Sequence, residues 1–152
     1  MEPIPFHVPS LDQADVPGVL EVLRDGWITT GPRCRAFESE FARMLGGDVH
    51  CIAVNSATAA LHLALEALGV GPGDRVLTTP FTFTATAEVV RYLGADPVFA
   101  DVDEATFNLT ASGCEGALAQ QPSDVVERIK VLLPVHYGGL PCAMEELEAL
   151  AR

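Results

Sequence analysis

The stretch RVLTTPFTFTATAEVVRYLGADPVFA (residues 75–100) decides the fold. Arg75–Thr78 is a short apolar run bounded by turn residues, which reads as a strand. Thr84–Leu93 carries a helical pattern and stops at Gly94. Pro97–Ala100 is a second apolar run. A strand, a helix and a strand in succession make a βαβ unit with parallel strands and a right-handed crossover.

The same alternation extends in both directions. Toward the N-terminus, His50–Val54 reads as a short buried strand and Ala57–Leu68 as an alanine- and leucine-rich helix ended by Gly69. A Pro72-Gly73-Asp74 turn then leads into Arg75. Toward the C-terminus, Ala111–Gln120 reads as a weaker helix, Ile129–Val135 as a strong strand and Met144–Ala151 as a further helix. Four strands alternating with helices predict an α/β fold, a partial parallel or mixed sheet with helices on both faces.

Upstream, the pattern is helical only. Val16, Val19, Leu20 and Leu23 give Leu11–Arg24 one apolar face, ended by Asp25-Gly26. Trp27–Pro32 is a loop by its Gly-Pro pair. Phe37, Phe41 and Leu45 line a second helix over Arg35–Leu45, stopped by Gly46-Gly47. The first ten residues hold three prolines and read as an extended arm.

Composition removes several function classes. The chain has 152 residues, 49% of them hydrophobic, so a packed core is expected rather than disorder. Its net charge of -12 with nine basic residues argues against nucleic acid and against anionic membrane surfaces. No apolar run is long enough to span a bilayer. The N-terminus shows no signal-peptide pattern, so a cytoplasmic location is expected. Cys34, Cys51, Cys114 and Cys142 are far apart without a C-x-x-C pair, and read as free thiols rather than a zinc site. Asn108-Leu109-Thr110 matches a glycosylation sequon, which without secretion is a chance match.

In an open parallel sheet, ligands bind beyond the carboxyl ends of the strands. Asn55–Ala60 follows the first expected strand. Its small residues, the Ser56 and Thr58 hydroxyls and the start of the next helix suit a phosphate. Ser56 is equally explained as a helix N-cap. Phe81 and Phe83 follow the next strand, where an aromatic either stacks on a planar ring or joins the core. Asp101 and Asp103 follow the third and read as ligand-edge groups or as turn caps. His136-Tyr137-Gly138-Gly139 follows the fourth, with His136 either touching a ligand or bonded structurally. Lys130, the sole lysine, opens that strand and so belongs to the opposite edge, roughly 15 Å away.

Six stretches occur in order: Gly26–Pro32, Val54–Leu65, Gly71–Asp74, Pro80–Ala87, Pro97–Asp103 and Pro134–Gly139. From about Pro9 onward the chain resembles the DegT/DnrJ/StrS family of sugar aminotransferases, which use pyridoxal 5'-phosphate (PLP) and have fold type I. The resemblance implies that the chain is an N-terminal arm plus the first part of the PLP-binding large domain. Ser56, Ala57 and Thr58 match the segment that holds the PLP phosphate. Phe83 matches the aromatic that stacks on the pyridine ring. Thr29, Thr30 and Gly31 match the loop at the active-site mouth. Ala57 stands where Gly is common in the family, and Leu140 where Gln is.

The resemblance also implies that the Schiff-base lysine, the Asp that pairs with the pyridine nitrogen and the small C-terminal domain lie beyond residue 152. No catalytic residue is then expected within the chain, and the 152 residues alone are expected to be inactive and to bind PLP weakly or not at all. The implied complete enzyme is a cytoplasmic homodimer. It moves an amino group from a donor such as glutamate to a nucleotide-linked keto-sugar, in amino-sugar biosynthesis. Two alternatives stay open: a PLP-dependent sugar dehydratase of the same family, and a non-catalytic remnant that binds a phosphate ligand.

Overall fold

The computed structural model describes residues 3–5 and 7–152. The arm expected over residues 1–10 lies outside the described residues at Met1, Glu2 and Phe6; its other residues carry no helix or strand. The chain forms two compact units, Met1–Ala53 and Val54–Arg152.

The first unit holds α1 (Asp15–Asp25) and α2 (Pro32–Met44). Helix α1 starts later than the apolar spacing predicts. The Asp12 carboxylate takes the Ala14 amide at 2.6 Å, and the Asp15 carboxylate takes the Asp12 amide at 2.9 Å, which holds residues 12–14 in a turn ahead of the helix. Helix α2 starts earlier, because Pro32 fits the first helical position, where its missing N–H costs nothing. The Phe37 and Phe41 rings sit one turn apart with centroids at 6.0 Å.

The strand expected at His50–Val54 does not form. A strand needs a neighbour for its backbone groups. Here the Ala53 amide donates instead to Glu38 Oε1 at 2.9 Å, and Ile52 is exposed.

The second unit begins with α3 (Ala57–Ala67) and continues β1 (Arg75–Thr78), α4 (Ala85–Tyr92), β2 (Asp96–Phe99), α5 (Ala111–Ala119), α6 (Ser123–Val126), β3 (Ile129–Leu132) and α7 (Met144–Ala151). Three strands, not four, form one parallel sheet in the order β2-β1-β3. Strand β3 is shorter than the apolar run that predicts it. Its ladder carries on through Leu133 N–H to Leu77 O at 2.8 Å, then stops at Pro134, which has no N–H to give.

Helices cover both faces. Val76 points into a core with Leu65, Val89, Val90 and Ala95, supplied by α3 and α4. Its neighbour Leu77 points the other way, into a core with Val98, Leu109, Cys114 and Leu147, supplied by α5 and α7. This is the alternation of a strand buried on both sides. A register shift leaves Lys130 as the extra residue of a bulge, since Arg75 pairs with Ile129 but Val76 with Val131. Lys130 Nζ donates to Gly69 O at 2.6 Å, at the amino edge of the sheet. That oxygen is near the end of α3, so a lysine there also suits the negative end of the helix dipole.

Leu65 on α3 is 2% exposed, whereas Leu63 on the same helix is 48% exposed. Leu65→Ala is expected to lower unfolding free energy by about 2–5 kcal/mol, and Leu63→Ala to stay within about 0.5 kcal/mol. Urea unfolding of both variants checks this; equal losses would contradict the assignment of the α3 core face.

Candidate functional site

The sheet order creates a crevice. From β1 the chain passes to α4 on one face, and from β3 it passes to α7 on the other. Strands β1 and β3 are neighbours, so their loops part at the carboxyl edge and leave a cleft between them. An open concavity of about 420 Å³ lies there, lined by Pro80–Phe83 after β1 and Val135–Gly138 after β3.

Residues singled out in the sequence after two different strands meet in this lining, Phe81 and Phe83 with His136. Phe83 is 81% exposed, so its ring is not core and its face is free. Asp101 follows β2 at the same edge, where its carboxylate takes the Val102 amide at 2.8 Å. Asp103 is a turn cap. Its Oδ1 accepts from the Thr106 hydroxyl and amide at 2.9 Å and from the Ala105 amide at 3.1 Å. These bonds, the Thr106 hydroxyl foremost, hold its carboxyl below the ordinary Asp range. The turn is therefore tightest above that range and loosens as pH falls through the lowered value.

Ser56 caps α3: its Oγ accepts the Ala59 amide at 3.1 Å. The amides of Ala57 and Thr58, in the first turn, have no intrahelical acceptor and remain available to an anion. Capping and anion binding are compatible, since the cap occupies only the third amide. Ser56, Ala57 and Thr58 are not part of the concavity's lining.

Thr29, Thr30 and Gly31 belong to the first unit. Both hydroxyl residues are exposed, while Gly31 is buried and Trp27 Nε1 donates to Thr30 O at 3.1 Å. A Cβ on Gly31 would lie 2.7 Å from Trp27 Cδ1, so the indole's position there depends on glycine.

The sequence reading missed what holds the carboxyl edge together. Asn108 is 4% exposed and ties two loops. Its Oδ1 accepts the Tyr137 amide at 2.9 Å and its Nδ2 donates to Leu140 O at 2.9 Å. The Nδ2 that a glycan would need is thus committed internally, in line with a chance sequon. Phe81, Phe107 and Tyr137 pack as a trio with centroids 4.9–5.5 Å apart, one ring from each of the three loops. Phe107 reaches its place at φ 58°, an unfavourable conformation for a bulky side chain. Its amide is held by Asp103 O at 2.8 Å. Beneath the loops, burial pushes the Cys114 thiol up, with Cys142 nearby adding to the shift, so Cys114 is no nucleophile.

Residues 9–152 match the profile of the DegT/DnrJ/EryC1/StrS aminotransferase family. Among curated relatives, the spore coat polysaccharide biosynthesis protein SpsC of Bacillus subtilis (strain 168) is 44% identical over 149 residues, 98% of this chain and 36% of that protein. Among solved structures, Spr1654 from Streptococcus pneumoniae, assigned as a sugar aminotransferase, superposes in its PLP form with a TM-score of 0.83 at 36% identity, over 97% of this chain and 36% of that one. An aminotransferase from Psychrobacter cryohalolentis superposes with a TM-score of 0.81 at 40% identity, over 97% and 36% of the two chains. The chain thus spans 36% of the length of the relatives it matches. Among the described residues, no helix is long and apolar enough to cross a membrane.

Asn108→Ala would remove the side-chain partner of the Tyr137 amide and the Leu140 carbonyl. It is expected to cost about 0.5–1.5 kcal/mol for each hydrogen bond lost, and to speed hydrogen exchange at the Tyr137 amide. Exchange read by NMR decides the matter: an unchanged Tyr137 rate would mean the loop does not depend on Asn108.

Proposed function

Since the chain belongs to the DegT/DnrJ/EryC1/StrS aminotransferase family, we propose that it is the first part of the PLP-binding large domain of a sugar aminotransferase. The complete enzyme would carry an amino group from glutamate or a similar donor to a nucleotide-linked keto-sugar, and would work as a homodimer. The apolar faces of α1 and α2, with Val19, Leu23, Phe37 and Met44 exposed, favour a partner surface.

The observation that carries the reading is the concavity at the switch point, with an exposed aromatic ring at its edge. Its residue types suit PLP. Phe83 offers a flat face to a pyridine ring. The α3 start offers two amides, the Thr58 hydroxyl and a positive dipole end to a phosphate. Ala57 keeps the cradle shallow, because a methyl group leaves its amide open. Bound PLP supplies an aldehyde to hold the amino group and a ring to delocalise charge. The residues of this chain bind and orient it: the helix start anchors the phosphate end and Phe83 restrains the ring.

Thr29, Thr30 and Gly31 are proposed to line the active-site mouth, where the two exposed hydroxyls would meet the polar groups of a sugar. Lys130 has no place in this chemistry, as its ammonium is spent on Gly69 O and Asp74 at the amino edge. The proton-moving lysine is proposed to come from sequence beyond residue 152.

Thr58→Val tests the cradle. It removes one charge-assisted hydrogen bond to phosphate, worth about 1.5–3 kcal/mol, and is expected to weaken PLP binding about ten- to a hundredfold. Spectrophotometric titration of PLP into the complete protein, with and without the substitution, measures this. Equal affinities would reduce Thr58 to a helix-terminus residue and remove the phosphate site from α3.

A further inference from the structure

The hydrogen bonds around the crevice determine which nitrogen of His136 carries its proton. The Cys142 amide lies 3.1 Å from His136 Nδ1. A backbone amide can only donate, so Nδ1 must be the nitrogen that holds a lone pair. In the neutral imidazole the proton is then on Nε2, at the far side of the ring from Cys142. The amide that dictates this is itself anchored. Cys142 is 5% exposed, and its thiol donates to Val135 O at 3.3 Å. Asn108 grips the intervening turn at Tyr137 and Leu140. The His136–Cys142 loop is therefore held at both ends and in the middle.

His136 is exposed and lines the concavity with Phe83. Among the described residues, Nε2 makes no hydrogen bond. The ring spends Nδ1 on the Cys142 amide and leaves Nε2–H for a ligand in the concavity that His136 lines.

We propose that His136 is a ligand-binding hydrogen-bond donor, offering Nε2–H to an oxygen substituent of the planar ring that lies against Phe83. With its one lone pair turned to the Cys142 amide, His136 presents a donor to the ligand. Asn108 is a positioning residue that acts on the ligand only through this loop. The inference rests on the PLP reading above and gives a residue of that site a specific job.

The test has two parts. Long-range proton–nitrogen NMR of the ¹⁵N-labelled protein reports the tautomer directly, with the His136 signals identified by their loss in His136→Gln. The Nε2–H pattern is expected without any ligand. An Nδ1–H pattern, or a mixture of the two, overturns the proposal.

PLP titration then compares two variants. The glutamine amide reaches the Nε2 position and can donate there, whereas asparagine reaches only the Nδ1 position. His136→Gln is expected to bind PLP within about twofold of the parent, and His136→Asn about two- to tenfold more weakly, the worth of one neutral hydrogen bond. Equal binding by all three proteins overturns the donor role. The titrations use the complete protein, with the sequence beyond residue 152 in place; a complete parent that fails to bind PLP overturns the cofactor reading and this inference together. An Nδ1–H tautomer with normal PLP binding overturns this inference alone.

Discussion

The site depends on one topological constraint: the neighbouring strands β1 and β3 send the chain to opposite faces of the sheet. Two parallel strands whose following helices lie on the same face leave no gap between their loops. When the helices diverge, the loops must part, and the backbone at that edge has no strand to fill the space. The concavity lined by Pro80–Phe83 and Val135–Gly138 is that space. The order β2-β1-β3 requires it, because the chain steps from β1 outward to β2 and then crosses back over β1 to reach β3.

A cleft made by divergence is open, and something must keep its walls apart at a defined distance. Asn108 and the Phe81–Phe107–Tyr137 trio do so by joining the loops that follow all three strands. A buried carboxamide with both its oxygen and its nitrogen bonded has a single place to sit. The unfavourable φ at Phe107 persists because the ring packing and the Asp103 carbonyl hold it on both sides. This fixed edge carries the lining in which Phe83 and His136 both stand, and a defined edge is what recognition of a rigid planar ligand needs.

Much of this was legible in advance. The alternation around residues 75–100 predicted the parallel sheet, the rule about carboxyl ends pointed to the segments that carry Phe81, Phe83 and His136, and the family resemblance singled out Phe83. Ser56 read as an N-cap, and it is one. The clamp was not legible. Asn108 bonds groups 29 and 32 residues away, and no local pattern marks a side chain whose partners are so distant. Phe81 and Phe83 look alike in sequence, yet Phe81 joins the trio while Phe83 stands 81% exposed. The run at His50–Val54 had a strand's composition but found no strand beside it, and its Ala53 amide turned to Glu38.

The sequence by itself determined what local chemistry determines. Apolar periodicity set the type of most elements, proline and glycine set their ends, and short-range hydroxyls and carboxylates set their caps. It also carried the family, because six short motifs keep their order along the chain. The tertiary structure alone decided which strands pair, which loops part, which phenylalanine packs against the neighbouring loops and which nitrogen of His136 meets the Cys142 amide. Each of those is a choice among partners far apart in the chain. Such choices are made by the sum of burial and hydrogen bonding over the whole unit, and no window of neighbouring residues contains that sum.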